Sequence, residues 1–177
     1  HSRGVVSKMS QTQVQRLFIA DKTSITGNIW RITTGAVLAA GSSDLTSNWE
    51  TADSYGVGAA GESMTESSGI FTFPSTGFFL IRFGVMYNRT STSCDYAGAR
   101  IYATQDNSSY NQLAGSYVWF ENTGGIYGST ICEAIFDVTD TTTHKVKMNV
   151  NRQAEIGMQG SGTYNVTQVT FMKLGDT

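Results

Sequence analysis

Residues 68–87 read SGIFTFPSTGFFLIRFGVMY, and this stretch decides the fold of the chain. It contains two runs with strand character, 70–73 and 78–87, separated by the turn sequence Pro-Ser-Thr-Gly. Successive side chains of a β-strand point to opposite faces of the sheet. One face of the second run is therefore apolar throughout and predicts a core, formed by Phe79, Ile81, Phe83, Val85 and Tyr87.

The opposite face of the same run is also mostly apolar. It carries Phe78, Leu80, Arg82, Gly84 and Met86, where a strand facing water would carry polar side chains. A strand that is apolar on both faces is typical of one that is buried on both faces. In a small all-β chain, the second cover comes from another sheet or from another subunit.

The rest of the chain shows the same strand period. Apolar and polar residues alternate in 97–103, 129–138 and 145–150, and a last long strand is expected over 164–174. In total, eight to ten short strands follow one another with turn signals about every 8–12 residues, without an amphipathic helix or a repeat. The pattern predicts an all-β sandwich and favours a jelly roll.

Three segments are harder to assign. Residues 13–19 are expected to form a first edge strand, and 35–41 (GAVLAAG) fits either a strand or a helical turn. Residues 42–68 are rich in Ser, Gly and acids and are expected to form long surface loops.

Length and charge exclude several classes of protein. The 177 residues suit one domain with a sizeable core. Charged residues make up 15% of the chain and the net charge is −2, so no basic excess attracts nucleic acid or an anionic membrane. No run approaches the ~20 apolar residues of a membrane span. Cys94 and Cys132 are expected to be buried thiols, with a single disulfide left open.

Residues 67–83 resemble the signature of the C1q/TNF-like superfamily, in which a strand of the pattern Gly-x-aromatic-x-apolar-x-aromatic follows a Pro-containing turn. Gly77, Phe79, Ile81 and Phe83 match these positions, although the C1q pattern usually has Phe where this chain has Ile81. Residues 169–176 are similar to the last strand of that fold. The resemblance implies a ten-stranded jelly-roll sandwich that forms a homotrimer.

A closer likeness is to proteins of marine phages, especially cyanophages. The shared motifs are MTESSGIFTFP at 64–74 and TFMKLGDT at 170–177, and the likeness extends over about 28–177. Residues 1–27 are then a separate N-terminal segment, in part an edge strand or a stretch linking to a fibre. The resemblance implies a non-enzymatic trimeric head domain of a virion or tail-fibre protein, located on the virion or outside the cell. Its partners would be its own copies and a host-surface receptor or glycan.

The homotrimer implied by this resemblance needs a subunit contact. The first candidates for it are the strands that are apolar on both faces, 78–87 and 116–120 (SYVWF). We expect the contact to be lined by Phe78, Leu80, Met86, Tyr117 and Trp119. The alternative is that these side chains pack beneath loops of their own subunit.

Catalysis has little support in the sequence. His144 lies on a Thr-rich turn and is expected to be a solvated turn residue rather than a general base. The carboxylate pairs Glu50 with Asp53 and Glu62 with Glu66 all fall in one acidic loop region, where solvated side chains are the expected outcome. The same acids would suit Ca²⁺, which prefers oxygen ligands, so calcium is the one cofactor left open.

Ligand binding is expected in loops held by a rigid sandwich. Several aromatic and amide residues would suit sugar binding: Trp49, Tyr55, Tyr110 and Asn111. Trp119 is a further stacking candidate. The alternative function is a monomeric carbohydrate-binding module of the jelly-roll type.

Overall fold

The computed structural model describes residues 26–89, 93–121 and 125–177. The edge strand expected at 13–19 lies outside these residues. Fourteen strands are found within the described ranges: β1 (Thr26–Ile32), β2 (Thr34–Leu38), β3 (Gly41–Asp44), β4 (Trp49–Thr51), β5 (Ala60–Gly61), β6 (Thr65–Ser67), β7 (Ile70–Thr72), β8 (Gly77–Arg89), β9 (Tyr96–Thr104), β10 (Asn111–Trp119), β11 (Ile126–Val138), β12 (Lys145–Arg152), β13 (Ile156–Ser161) and β14 (Gln168–Gly175).

The strands form two antiparallel sheets. In the eight-stranded sheet, β8 pairs with β11 along all thirteen residues, from Gly77–Val138 to Arg89–Ile126. On its other side β8 pairs with β14 and, near its end, with β13. The six-stranded sheet has the order β10-β9-β12-β7-β6, with β3 also on β12. The long β8 strand is thus the centre of the eight-stranded sheet.

The core lies between the two sheets. The five core residues expected on β8 are all at most 1% exposed, so this prediction is confirmed. Phe71 of the six-stranded sheet touches three rings from across the sandwich, with centroids 5.1–5.6 Å away: Trp30, Trp49 and Phe171. Burying one such side chain stabilises the fold by roughly 1.5–3 kcal/mol. Cys94 and Cys132 are buried and free.

The all-β sandwich is confirmed, with differences in the connecting segments. In the segment 35–41, residues 35–38 belong to strand β2, and the expected loop region 42–68 contains most of β3 and the short strands β4–β6. Residues 157–162 are rich in glycine, as is typical of a turn, but most of them belong to β13. A Cβ at Gly160 would lie 2.6 Å from the Thr34 carbonyl carbon. The glycine there permits two strands to approach closely, which a sequence cannot distinguish from a turn.

Candidate functional site

The outer face of the eight-stranded sheet is apolar. The pairing of β8 places Leu80 in one row between Ile135 of β11 and Met172 of β14. Ile135 is 63% exposed and Phe78 is 40% exposed. We call this surface the apolar face; it consists of Phe78, Leu80, Met86, Ile131, Ile135 and Met172.

Polar groups interrupt the apolar face without partners. Arg82 and Glu133 stand directly opposite each other on β8 and β11, and both are exposed. Within the described ranges, neither forms an ion pair. Nearby, a depression of about 340 Å³ lies over Gly84. The buried Oδ1 of Asn165 and Oε1 of Gln168 at this depression accept no hydrogen bond from the described part of the chain.

The outer face of the six-stranded sheet has a different character. We call it the aromatic face; it consists of Tyr96, Arg100, Tyr102, Gln112, Tyr117, Trp119 and Lys147. The Tyr96 ring lies 5.2 Å from the Trp119 ring and 5.8 Å from the Tyr117 ring, centroid to centroid. Nε of Arg100 donates a 3.0 Å hydrogen bond to the Tyr117 hydroxyl.

Tyr117 is held in place by a glycine. A Cβ at Gly98 would lie 2.5 Å from Cδ1 of Tyr117, so the ring lies across the β9 backbone where a side chain would otherwise stand. From the core side, the Tyr87 hydroxyl donates a 2.8 Å hydrogen bond to the Gly98 carbonyl. Burial raises the pKa of Tyr87, so this hydroxyl keeps its proton for that bond. Both contacts fix β9 beneath the exposed ring.

Lys147 and its neighbours complete the aromatic face. Nζ of Lys147 lies 2.8 Å from Oδ2 of Asp44 and 4.4 Å from the centroid of the Tyr110 ring. The Tyr102 hydroxyl donates a 3.3 Å hydrogen bond to Oε1 of Gln112. The polar groups of this face are therefore largely satisfied by one another.

The structure divides the five residues expected at the subunit contact. Phe78, Leu80 and Met86 lie on the apolar face, whereas Tyr117 and Trp119 lie on the aromatic face of the opposite sheet. Ile131, Ile135 and Met172 were not expected there. The alternation within 129–138 carries the signal for the first two, because Ile131 and Ile135 fall on the face opposite Cys132 and Phe136.

The four weaker ligand-binding candidates are scattered. Trp49 packs against Phe71, with ring centroids 5.2 Å apart, and its Nε1 donates a 2.8 Å hydrogen bond to the Leu45 carbonyl. Tyr55 is a loop residue and is 87% exposed. Tyr110 covers Lys147, and Asn111 borders a depression of about 480 Å³. The structure does not bring these four residues into one site.

The catalytic candidates do not form an acid–base pair. Glu50 and Asp53 both contact the buried Arg31, with Nε 2.6 Å from Oε1 of Glu50 and an Nη 3.1 Å from Oδ1 of Asp53. Arg31 thus ties β1 to the β4 region, which is a structural role. Across the described ranges, no group of three or more His, Cys, Asp or Glu side chains is placed to hold a metal ion.

His144 is not the solvated residue expected from the sequence. It is buried, its Nε2 lies 3.3 Å from the Thr139 hydroxyl, and its Nδ1 lies 3.1 Å from the Thr143 hydroxyl. Its ring packs 5.6 Å from Phe136 because the turn folds back over the end of the core. The expectation failed because the Thr-rich composition of the turn does not indicate that the His144 ring points toward the core.

Solved structures with the same arrangement of sheets identify the fold. Murine APRIL superposes with a TM-score of 0.60 at 13% identity, over 85% of this chain and 99% of APRIL. Eiger TNF from S. frugiperda superposes with a TM-score of 0.62 at 14% identity, over 87% of this chain and 95% of Eiger. This chain has the TNF-like jelly-roll fold. No family model matches the sequence, and no curated protein matches it significantly.

In the part of the chain that the structure describes, no helix has the length and apolar character to cross a bilayer.

Proposed function

We propose that this chain is a non-enzymatic binding domain that works as a homotrimer. The observation that supports it best is the apolar face, which a single sandwich leaves open to water. Large contiguous apolar patches on a soluble protein usually mark an interaction site. The TNF-like jelly-roll fold agrees with this assignment, because the C1q/TNF-like resemblance of the sequence implies a homotrimer of such sandwiches.

A ring of three subunits suits the two-sided layout of the molecule. In a closed ring, each contact joins one surface of a subunit to a different surface of the next subunit. Phe78, Leu80 and Met86 would lie on one of these surfaces. Tyr117 and Trp119 belong to the opposite sheet, and their expected place at the contact stays a prediction.

The unpartnered polar groups also favour a covered apolar face. A buried acceptor without a donor costs about 1–3 kcal/mol. Donors from a neighbouring subunit would satisfy Asn165 and Gln168. Arg82 and Glu133 would gain partners across the contact, where complementary charges fix the register of two surfaces.

The mass of the protein in solution tests the trimer directly. Light scattering coupled to size exclusion should give three times the 19.2 kDa mass of the chain. A single-chain mass at micromolar concentration would contradict the proposal. A monomer that still bound sugars would support the alternative function, a carbohydrate-binding module, for which the exposed rings of the aromatic face are the favouring observation.

The setting we propose is a phage virion or tail fibre, where the trimer would attach to a host-surface receptor or glycan. This step is supported by the sequence motifs at 64–74 and 170–177. Antibody labelling of purified virions should locate the protein on the particle. Labelled trimer should bind host cells and leave non-host cells unlabelled, and equal labelling of both would contradict the attachment role.

A further inference from the structure

We propose that the aromatic face binds a sugar that carries an acidic group, with Trp119 and Tyr117 stacking on the sugar rings and Arg100 receiving the acid. The inference rests on the proposed binding function and names the class of ligand. It concerns the sheet opposite the apolar face, so that subunit contact and ligand site would be separate surfaces.

The exposed rings are suited to carbohydrate. Trp119 is 73% exposed, and Tyr117 is 42% exposed although its hydroxyl is held by Arg100. An aromatic ring has a negative face, which attracts the weakly positive C–H groups on the flat side of a pyranose ring. Tyr117 and Trp119 lie 5.8 and 5.2 Å from the Tyr96 ring between them and are inclined to it by 76° and 51°, so they offer two separate stacking surfaces on β10.

Tyr117 is held in position before any ligand arrives. It stands on paired strands rather than on a loop, and side chains on strands are held more firmly than those on loops. Gly98 lets the Tyr117 ring settle against the backbone, and Arg100 holds its hydroxyl. Little conformational entropy would therefore be lost on binding.

Arg100 is the group that points to an acidic ligand. Among the residues that the structure describes, it has no carboxylate partner, whereas its neighbour Lys147 is neutralised by Asp44. A guanidinium has five N–H donors in a planar fork that matches a carboxylate or a sulfate. Nε and one Nη contact the Tyr117 hydroxyl, which leaves donors of Arg100 for a ligand.

The charge of the surrounding strands favours the same ligand. The strands β9, β10 and β12 carry four basic residues and no acidic one, although the whole chain has a net charge of −2. Three of the four, Arg100, Lys145 and Lys147, point to the outer face. Asp44 of the adjoining strand β3 neutralises Lys147, and among the described residues Arg100 and Lys145 have no carboxylate partner. An anionic sugar would thus approach a locally positive surface of an acidic protein.

Calorimetric titration of the assembled protein with two probes tests the inference. The probes are an oligomer of uronic acids (an alginate oligosaccharide) and a neutral dextran oligosaccharide of equal length. The alginate oligomer should bind, and the dextran oligomer should bind at least about tenfold more weakly, as expected for the loss of a charge-assisted hydrogen bond. No alginate binding, or equal affinity for both probes, would overturn the proposal.

Two substitutions locate the site. Arg100→Gln should weaken alginate binding by about tenfold or more. The affinity of Arg100→Lys should lie between those of the wild type and Arg100→Gln, because lysine keeps the charge but loses the planar fork of donors. Trp119→Ala should weaken binding of the oligomer by a similar factor. The matched control is Tyr127→Ala, which removes an exposed aromatic ring from β11 of the other sheet and should leave binding unchanged.

The mass of each variant separates this inference from the trimer. If Trp119→Ala and Arg100→Gln lose sugar binding and keep the mass of the wild type, the aromatic face is a ligand site. If Trp119→Ala dissociates the assembly, the aromatic face is a subunit contact and the ligand proposal is overturned. A wild-type trimer that binds neither probe would refute the sugar site and leave the trimer standing.

Discussion

The two outer faces of the sandwich differ in how their polar groups are satisfied. On the aromatic face, Arg100 bonds to Tyr117, Tyr102 bonds to Gln112, and Lys147 pairs with Asp44. On the apolar face, Arg82 and Glu133 stand opposite each other without such contacts among the described residues, between exposed aliphatic side chains. The polar groups of the first face thus find partners within the chain, whereas in the proposed trimer those of the second face would find them on another subunit.

The exposed fraction of a side chain and the pairing of its polar neighbours point to different faces of the sandwich. Trp119 is more exposed than any residue of the apolar face, yet it belongs to a connected set of rings and hydrogen bonds. Ile135 is less exposed but has only aliphatic neighbours in its row of the sheet. The proposed contact therefore rests on the unpaired polar neighbours of the apolar face rather than on the exposed fraction of one side chain.

The largest effect is expected from two adjacent residues that face opposite ways on β8. Phe79 is fully buried in the core, and its replacement by Ala should lower the free energy of unfolding by about 3–5 kcal/mol. Phe78→Ala removes the same atoms from the apolar face and should leave the fold intact while weakening assembly. Denaturant unfolding at a concentration where the chain is monomeric measures the stability of both variants. Equal losses of stability for the two variants would show that Phe78 is a core residue.

The faces of β8 were predictable because a long strand with a strict period of two assigns each side chain to one face. The core face of β8 and the alternation of β9, β11 and β12 were recovered for this reason. The extent of β13 and the buried His144 were not, because Gly-rich and Thr-rich segments carry the same composition in turns and in packed strands. Their position depends on contacts with residues distant in sequence.

The next largest effect is expected on assembly. Two isoleucines test it, one on each outer face of the sandwich. Ile135→Glu places a charge in the apolar face and should convert the trimer to single chains, because an unpaired charge is costly in a contact. Ile70→Glu is the control: Ile70 lies on the outer face of the six-stranded sheet, opposite Lys147, which would pair with the new carboxylate. Light scattering should show a threefold lower mass for the first variant only. An unchanged mass for Ile135→Glu would remove the apolar face from the contact.

A smaller effect is expected from the glycine beneath Tyr117. Gly98→Ala should lower the free energy of unfolding by about 1–3 kcal/mol, because its Cβ would lie 2.5 Å from the Tyr117 ring. Combining it with Tyr117→Ala should recover only part of the loss, since the Ser116 carbonyl oxygen would remain 2.9 Å away. The double-mutant cycle measures this coupling. A fully stable Gly98→Ala variant would mean that the ring is not held against β9.

The sequence showed less of the candidate sites than of the fold. It indicated that Phe78, Leu80 and Met86 share a face, because all three follow the period of one strand. It did not indicate that Tyr117 and Trp119 belong to the other sheet, because that depends on which strands pair. Arg100 also went unnoticed, since its lack of a carboxylate partner is visible only when neighbouring strands are aligned side by side.

The smallest effect is expected at the turn between β9 and β10, which closes one end of the aromatic face. The Asp106 carboxylate accepts hydrogen bonds from the backbone N–H of Ser109, the Thr104 hydroxyl and the backbone N–H of Ser108, which hold its pKa well below the ordinary value of 3.8. Because the folded pKa is the lower one, the stabilisation is complete above the ordinary value and is lost as the pH falls through the folded pKa. Asp106→Asn should therefore be less stable than the wild type at pH 7, and the difference should shrink as the pH falls below about 4. Thermal unfolding of both proteins across this range measures it. A difference that stays constant down to pH 2 would show that the charge of Asp106 does not stabilise the turn.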